Sequence, residues 1–123
     1  IDVSGPEPKL GQLASYVRDR RIPLELCPTS NLQTGAAKSY AEHPIGALAR
    51  LRFRVTLNTD NRLMSATSMI REVTEFSRGY SWTIDDLHDV ARNGIMSAFI
   101  SEDEKQDIYK SQIKKPFADL GAK

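Results

Sequence analysis

The chain has 123 residues, of which 40% are hydrophobic and 27% are charged, as in one ordinary globular domain. Its 17 basic and 16 acidic residues nearly balance, which argues against strong non-specific binding of nucleic acid. The single cysteine, Cys27, excludes an internal disulfide and favours a reducing compartment. No apolar run approaches the roughly 20 residues of a membrane span, and no signal peptide is visible. We therefore expect a cytoplasmic protein with no nucleic-acid or membrane partner.

The first third of the chain has the pattern of a helix, a strand and a polar loop. An apolar stripe with helical spacing predicts a helix over residues 7–20, and its members are Leu10, Leu13, Ala14 and Val17. Apolar and polar residues alternate over 22–28, which predicts a short strand bracketed by prolines. Residues 29–35 are mostly hydroxyl and amide side chains. That composition suits a binding rim, and it equally suits caps and turns.

The middle of the chain predicts a second strand between two helices. A short helix is expected to begin near Pro44, a strand to span residues 52–57, and a longer helix to span 65–78. The longer helix carries apolar residues that we expect on one buried face: Met69, Ile70, Val73 and Phe76.

The C-terminal third predicts helices with explicit start signals. Thr83 is expected to be an N-cap with Asp86 at the third helical position, and this helix is expected to continue past Gly94. Residues 101–104 form a capping box for a last helix, which is expected to stop at Pro116 because proline breaks a helix interior.

The two histidines show no metal-ligand spacing. His43 precedes Pro44 at a helix entrance, and no second histidine or cysteine stands at ligand spacing from it. We interpret it as a capping or surface histidine. His88 lies among aspartates on a predicted helix, and we expect it to be exposed and ion-paired.

The order of these elements predicts part of an α/β fold. Strands separated by helices pair in parallel through right-handed crossovers. Two parallel strands alone would leave both edges open and both faces poorly covered. We therefore predict the C-terminal part of a (β/α)8 barrel: its last two strands with the flanking and C-terminal helices, incomplete as a stand-alone barrel. The first residue, Ile1, is not methionine, which agrees with the expectation of a fragment.

The residues that follow the second predicted strand are the most unusual stretch of the chain. The polar cluster 58–61 places the carboxylate of Asp60 at the mouth of a buried strand. A carboxylate in such a place needs a cation, a metal or hydrogen-bond donors as compensation. Aspartate and asparagine are also good turn residues, and Ser65, Thr67 or Ser68 would cap the next helix. Local pattern therefore leaves open both a structural loop and a chemical role for Asp60.

Three stretches resemble the adenosine deaminase family, in its bacterial, actinomycete-type branch of the metal-dependent amidohydrolase superfamily. Residues 24–35 (LELCPTSNLQTG) resemble the family's strand-seven signature, and residues 56–61 (TLNTDN) resemble its strand-eight signature. Residues 82–87, Asn93 and residues 97–99 resemble its C-terminal helices. The resemblance covers essentially all 123 residues and identifies them as the C-terminal segment of a single catalytic domain.

The resemblance implies a catalytic and metal-binding role for Asp60. In that family the aspartate of this motif is a zinc ligand at the mouth of strand eight, and it also bonds the attacking water. Zinc lowers the pKa of its bound water. The implied reaction is hydrolytic deamination of adenosine or 2′-deoxyadenosine at C6, which gives inosine (or 2′-deoxyinosine) and ammonia and serves purine salvage.

Two departures from the family pattern bear on this implied function. Many relatives carry an aspartate where this chain has Asn61, and that residue resembles a contact to a purine ring nitrogen, so Asn61 is the implied substrate-binding residue. The family's other zinc ligands and catalytic glutamate have no counterpart here, since neither His43 nor His88 matches them. We therefore expect the 123 residues to be inactive alone and to need the N-terminal part of the barrel as a partner. The alternative is a non-catalytic barrel fragment that associates through its open strand edges with itself or another chain.

Overall fold

The computed structural model describes residue 1 and residues 8–123. The helices and strands in this part of the chain are α1 (Gln12–Asp19), β1 (Pro23–Leu26), α2 (Pro28–Gln33), α3 (Ile45–Arg50), β2 (Arg54–Leu57), α4 (Met69–Tyr80), α5 (Ile84–Ser97), α6 (Glu102–Ile108), a π-helical turn (Tyr109–Lys114) and α7 (Lys115–Asp119). The predicted alternation of helices with two strands is confirmed. None of these helices is both long and apolar enough to cross a membrane.

The two strands pair in parallel, as predicted, and Leu26 lies opposite Leu57. Three of the four residues of β2 are buried, whereas β1 alternates between exposed and half-buried positions. Helix α5 packs against β2, where Asn93 Nδ2 donates a hydrogen bond of 3.0 Å to the Val55 carbonyl. At the other end of the sheet, Asn58 N–H donates to Leu26 O at 2.9 Å. The segments that leave the two strands therefore start side by side.

The hydrophobic core is formed by the second strand and by helices on either side of it. Its buried members are Ile45, Phe53, Val55, Leu57 and Phe76. The Phe76 ring is fully buried, stacks on Tyr80 at a centroid distance of 5.1 Å and meets Trp82 edge-on at 4.8 Å. Such aromatic pairs stabilise a core beyond the area that they bury.

The apolar face predicted for α4 is only partly confirmed. Phe76 is buried and Val73 packs against the core, but Ile70 is 80% exposed. The buried positions of α4 are Glu72 and Phe76, one helical turn apart. Ile70 lies two residues from Glu72 and therefore points away from the core, and Met69 is also largely exposed.

Two predicted helix starts lie too early in the chain. The first helix begins at Gln12 instead of residue 7, which is outside the described residues. Helix α4 begins at Met69 instead of residue 65, and its N-cap is Ser68, whose hydroxyl accepts a hydrogen bond from Arg71 N–H. Of the three capping candidates, Ser68 is thus the one used.

The predicted caps of the C-terminal helices are confirmed. Thr83 and Asp86 form a capping box at the start of α5, and α5 continues through Gly94 to Ser97. Ser101 and Glu104 form a second capping box at the start of α6. These signals are local in sequence, which is why the sequence alone reveals them.

Two predictions for the C-terminal segment are wrong. Helical structure does not stop at Pro116, because a π-helical turn ends at Lys114 and the proline falls in the first turn of α7, where it needs no N–H donor. His88 is half-buried against the rings of Tyr109 and Phe117, at centroid distances of 6.0 and 5.3 Å. Among the described residues it forms no ion pair.

Candidate functional site

Asp60 lies just beyond the carboxyl end of β2, where the chain turns sharply. Its backbone φ is 56°, in the left-handed region that aspartate tolerates better than most residues other than glycine. Its Oδ2 accepts a hydrogen bond of 2.8 Å from the hydroxyl of Ser30, which comes from the segment after β1. The Asp60 side chain is exposed. Solvent and one hydroxyl therefore compensate the carboxylate, and no buried cation is needed.

Asn61 begins the turn that follows Asp60. Its side-chain Oδ1 accepts a hydrogen bond of 3.1 Å from Met64 N–H, and its carbonyl accepts one of 3.0 Å from Ser65 N–H. Asparagine is a frequent residue in such turns because its side chain can bond the backbone a few residues ahead. The residue is exposed, so Asn61 both closes the turn and stands beside Asp60 at the mouth of the strand.

The polar loop predicted for residues 29–35 is wrong over most of its length, because the segment after β1 is helical. Residues 28–33 form α2, with Pro28 in its first turn and Asn31 N–H bonded to Cys27 O at 2.8 Å. We call residues 27–35 the β1 loop and residues 58–68 the β2 loop. The β1 loop presents Ser30 to Asp60, so the two loops meet through a side-chain hydrogen bond.

Glu72, on α4, accepts hydrogen bonds from both loops on the side that faces the core. Its carboxylate is completely buried: Oε2 accepts a hydrogen bond of 3.1 Å from Thr29 N–H, and Oε1 accepts one of 2.7 Å from the Thr67 hydroxyl. The sequence prediction gave Glu72 no role. The available signal was its position one turn before Phe76, on the face of the helix that is buried.

His43 supports the β1 loop from a second direction. It is 1% exposed, its Nε2 lies 2.9 Å from Asn31 Oδ1, and its Nδ1 accepts a hydrogen bond of 3.2 Å from Ile45 N–H. This pattern assigns the proton of the neutral ring to Nε2. Burial lowers the pKa of His43, against the opposing charge of Glu72. The predicted capping role is thus confirmed, and the surface location is wrong.

Cys27 begins the β1 loop in an environment that keeps its thiol protonated. Burial raises the pKa of Cys27 above its usual 9.0, and the negative charges of Asp60, Glu25 and Glu72 raise it further. The backbone of Asp60 opposes these effects with a hydrogen bond. The thiolate is the nucleophilic form of a cysteine, and the surroundings of Cys27 disfavour it in the metal-free protein.

Comparison with known proteins shows which family the chain belongs to. The family model for adenosine deaminase matches residues 8–116. The chain belongs to the adenosine deaminase family. It is 60% identical over 112 residues to adenosine deaminase 1 of Streptomyces coelicolor, and the matched region covers 91% of the chain and 28% of that protein. It is 52% identical over 120 residues to the adenosine deaminase of Mycolicibacterium vanbaalenii, which covers 98% of the chain and 33% of that protein.

These relatives confirm the resemblance to actinomycete adenosine deaminases, and the chain spans 28–33% of their length. Among solved structures, the adenine deaminase of Arthrobacter aurescens matches with a TM-score of 0.75 at 21% identity, over 78% of this chain and 29% of that one. Identity at this level shows the fold alone. The paired strands and their helices therefore have the arrangement of one part of a deaminase structure.

The metal chemistry expected from an adenosine deaminase can be compared with the donors that this segment offers. The described residues contain no group of three or more histidine, cysteine, aspartate or glutamate side chains that could hold a metal ion. Both ring nitrogens of His43 are engaged in hydrogen bonds. Asp60 is exposed, and within the described residues its Oδ1 has no hydrogen-bond partner. The segment therefore fits a zinc site as the donor of one ligand.

Proposed function

We propose that this chain is the C-terminal segment of the catalytic domain of a zinc-dependent adenosine deaminase. The complete enzyme would hydrolyse adenosine or 2′-deoxyadenosine to the corresponding inosine and ammonia, a reaction of purine salvage. The observation that carries the proposal is the exposed Asp60 carboxylate at the carboxyl end of β2, oriented by Ser30, in a chain 60% identical to a protein named adenosine deaminase. Enzymes built on parallel α/β barrels carry their active sites at this end of the strands.

In this proposal Asp60 has two tasks. One carboxylate oxygen, Oδ2, is held by the Ser30 hydroxyl at 2.8 Å, which leaves Oδ1 to bind zinc. The same carboxylate would accept a hydrogen bond from the attacking water and so orient it toward C6 of the purine. Zinc, when bound, makes that water a better nucleophile at neutral pH.

Asn61 is proposed to contact the purine ring. It is exposed next to Asp60, and its Oδ1 is used in the turn by Met64 N–H. The amide Nδ2 can donate a hydrogen bond to an acceptor nitrogen of the substrate without taking up a proton. Substrate and metal would thus be contacted by consecutive residues of the β2 loop.

We further propose that the 123 residues are inactive alone. One ligand cannot hold zinc in the tetrahedral set that catalytic sites use, and the N-terminal part of the barrel would supply the other ligands and the general acid–base. The span of only 28–33% of the curated relatives supports this division. The alternative function, a non-catalytic fragment that associates through its strand edges, predicts self-association of the isolated chain and no rescue of activity by an N-terminal part.

The test is Asp60→Ala in the complete protein that contains this segment. We expect loss of bound zinc and of adenosine deamination while the fold is retained, because Asp60 is exposed and forms one side-chain hydrogen bond. The metal-free parent and variant should differ only modestly in thermal unfolding, since alanine tolerates the left-handed backbone of Asp60 less well than aspartate does. Asp103→Asn is the matched control, since it changes an exposed carboxylate in the first turn of α6. Metal analysis, a spectrophotometric deamination assay and calorimetry are the measurements. Activity within a few-fold of the parent protein would contradict the assignment of Asp60, and the same assay on the isolated chain should show no turnover.

A further inference from the structure

The carboxylate of Glu72 is the most deeply buried ionisable group outside the residues given a role above. It is 0% exposed, and among the described residues it has no cationic partner within salt-bridge distance. Burying a carboxylate is costly unless donors satisfy it, and an apolar side chain of similar size is often tolerated equally well or better in such a position. Packing alone therefore does not account for a glutamate at position 72.

We propose that Glu72 is a positioning residue for Asp60, a role that rests on the proposed zinc site. Its two carboxylate oxygens hold the β1 loop and the β2 loop at a fixed separation, so that the Ser30 hydroxyl meets the Asp60 carboxylate. Glu72 itself touches neither the metal nor the substrate, and it acts through backbone and hydroxyl groups of the two loops.

The first arm of this connection runs through the β1 loop. Glu72 Oε2 accepts the Thr29 N–H at 3.1 Å, and the next residue, Ser30, donates its hydroxyl to Asp60 Oδ2 at 2.8 Å. The Thr29 hydroxyl lies 2.8 Å from the Tyr40 hydroxyl, which holds the same residue from the other side. Thr29 is only 5% exposed. Thr29, which precedes Ser30, is therefore held both by its backbone N–H and by its side-chain hydroxyl.

The second arm runs through the β2 loop. Glu72 Oε1 accepts the Thr67 hydroxyl at 2.7 Å, and Thr67 N–H donates to Arg62 O at 3.2 Å. Arg62 follows Asp60 and Asn61 directly in the sequence. Because each carboxylate oxygen serves a different loop, a rotation of the Glu72 side chain that kept one contact would lose the other. The geometry thus couples the two loops through one rigid group.

The test measures zinc affinity of the complete protein by competition with a chelator, together with the absorption spectrum of the Co²⁺-substituted protein. Mutation of residues that orient metal ligands typically changes metal affinity by about 10–100-fold. We expect Glu72→Ala to weaken zinc binding by roughly tenfold and to alter the Co²⁺ spectrum. Glu72→Gln should stay within about threefold, because its amide oxygen can accept Thr29 N–H while its amide nitrogen donates to the Thr67 hydroxyl oxygen.

Two controls separate positioning from general destabilisation. Glu75→Gln changes a partly exposed glutamate one turn along on the same helix, and Val90→Ala removes apolar volume that packs against the core from α5. Both should leave zinc affinity and the Co²⁺ spectrum unchanged. If Glu72→Ala does not fold, Glu72→Met fills the same space without accepting hydrogen bonds and is measured in its place.

A double-mutant cycle tests whether Glu72 acts through Ser30. We expect Ser30→Ala to weaken zinc binding by roughly tenfold, and the double variant to weaken it by clearly less than the product of the two single losses. The reason is that part of the effect of Glu72→Ala acts through a hydroxyl that is already absent. Three outcomes would each overturn the proposal. The first is that the losses of zinc affinity in the two single variants multiply in the double variant. The others are an equal loss in Glu72→Gln and Glu72→Ala, and a folded Glu72→Ala whose zinc affinity is within twofold of the parent protein. A parent protein that binds no zinc, or Asp60→Ala that keeps it, would instead overturn the proposed function.

Discussion

The β1 loop and the β2 loop meet at the same edge of the sheet, and they are held in place in different ways. The β1 loop is fixed from outside itself: buried Glu72 and His43 bond Thr29 and Asn31. The tip of the β2 loop is held by its own atoms, since Asn61 bonds the backbone of Met64 and Ser65. Both loops are bonded to buried Glu72, but only the tip of the β2 loop is a turn held by its own hydrogen bonds. Such a site can keep Ser30 fixed while residues near Asn61 adjust to a ligand.

This contrast is visible in burial as well. Thr29 in the β1 loop is 5% exposed, whereas Leu63 and Met64 at the tip of the β2 loop are 92% and 81% exposed. Low local contact density is the usual mark of segments that open at small cost in free energy. Substitutions behind the β1 loop should therefore change the free energy of unfolding more than substitutions in the tip of the β2 loop.

The largest expected change in the free energy of unfolding concerns Gly46 and Tyr80, which pack behind His43 and the β1 loop. A Cβ at Gly46 would stand 1.7 Å from Tyr80 Cε1, and the Tyr80 hydroxyl donates to His43 O at 2.6 Å. Gly46→Ala should therefore displace the Tyr80 ring and lower the free energy of unfolding by about 1–3 kcal/mol, as overpacking of a core does. Urea unfolding of the complete protein measures this change.

The matched control is Gly94→Ala in α5, where an added Cβ would meet nothing within 4 Å. This change should leave the protein equally stable or more stable by about 0.5–1 kcal/mol, because alanine favours the helix interior. Equal destabilisation by the two substitutions would contradict the view that Tyr80 packs tightly on Gly46.

A second prediction concerns pH and the buried ring of His43. Its pKa is lowered from 6.5 because burial disfavours the charged ring, so the unfolded chain binds more protons than the folded one as the pH falls below about 6.5. The contribution of the neutral ring to stability is present above that pH and is lost as the pH falls towards the lowered pKa. Unfolding midpoints measured from about pH 7.5 to about pH 5 should fall for the parent protein and fall less steeply for His43→Gln. Parallel pH profiles of the two proteins would show that His43 is not the group responsible.

The sequence reveals the parts of this fold whose causes are local. The caps at Thr83 and Ser101 depend on residues three positions ahead, and the two strands depend on short alternating patterns. The resemblance to a known family indicates Asp60, and the structure supplies its left-handed backbone and its bond to Ser30. That bond joins residues 30 positions apart, a separation that no local pattern encodes.

The residues that sequence reasoning missed are polar groups buried by distant partners. Glu72 bonds Thr29, 43 positions away, and His43 bonds Asn31, 12 positions away, so the hydrogen-bond partner of each lies outside its local sequence. Glu72 also accepts one of the first N–H groups of helix α2, which lies in a segment of mostly polar residues. Tertiary contacts here override what composition and propensity predict.

The smallest expected effect on stability lies in the β2 loop, at Asn61. An aspartate there retains an oxygen that can accept Met64 N–H, so Asn61→Asp should change the free energy of unfolding by no more than about 0.5 kcal/mol and leave the zinc content unchanged. The amide of Asn61 can donate a hydrogen bond and an ionised carboxylate can only accept one, so KM for adenosine should change by about threefold or more while the zinc content does not. Steady-state kinetics and metal analysis of the same preparations measure both quantities. Loss of zinc in Asn61→Asp equal to that in Asp60→Ala would contradict the division of roles, since it would make the two neighbouring residues parts of one metal site.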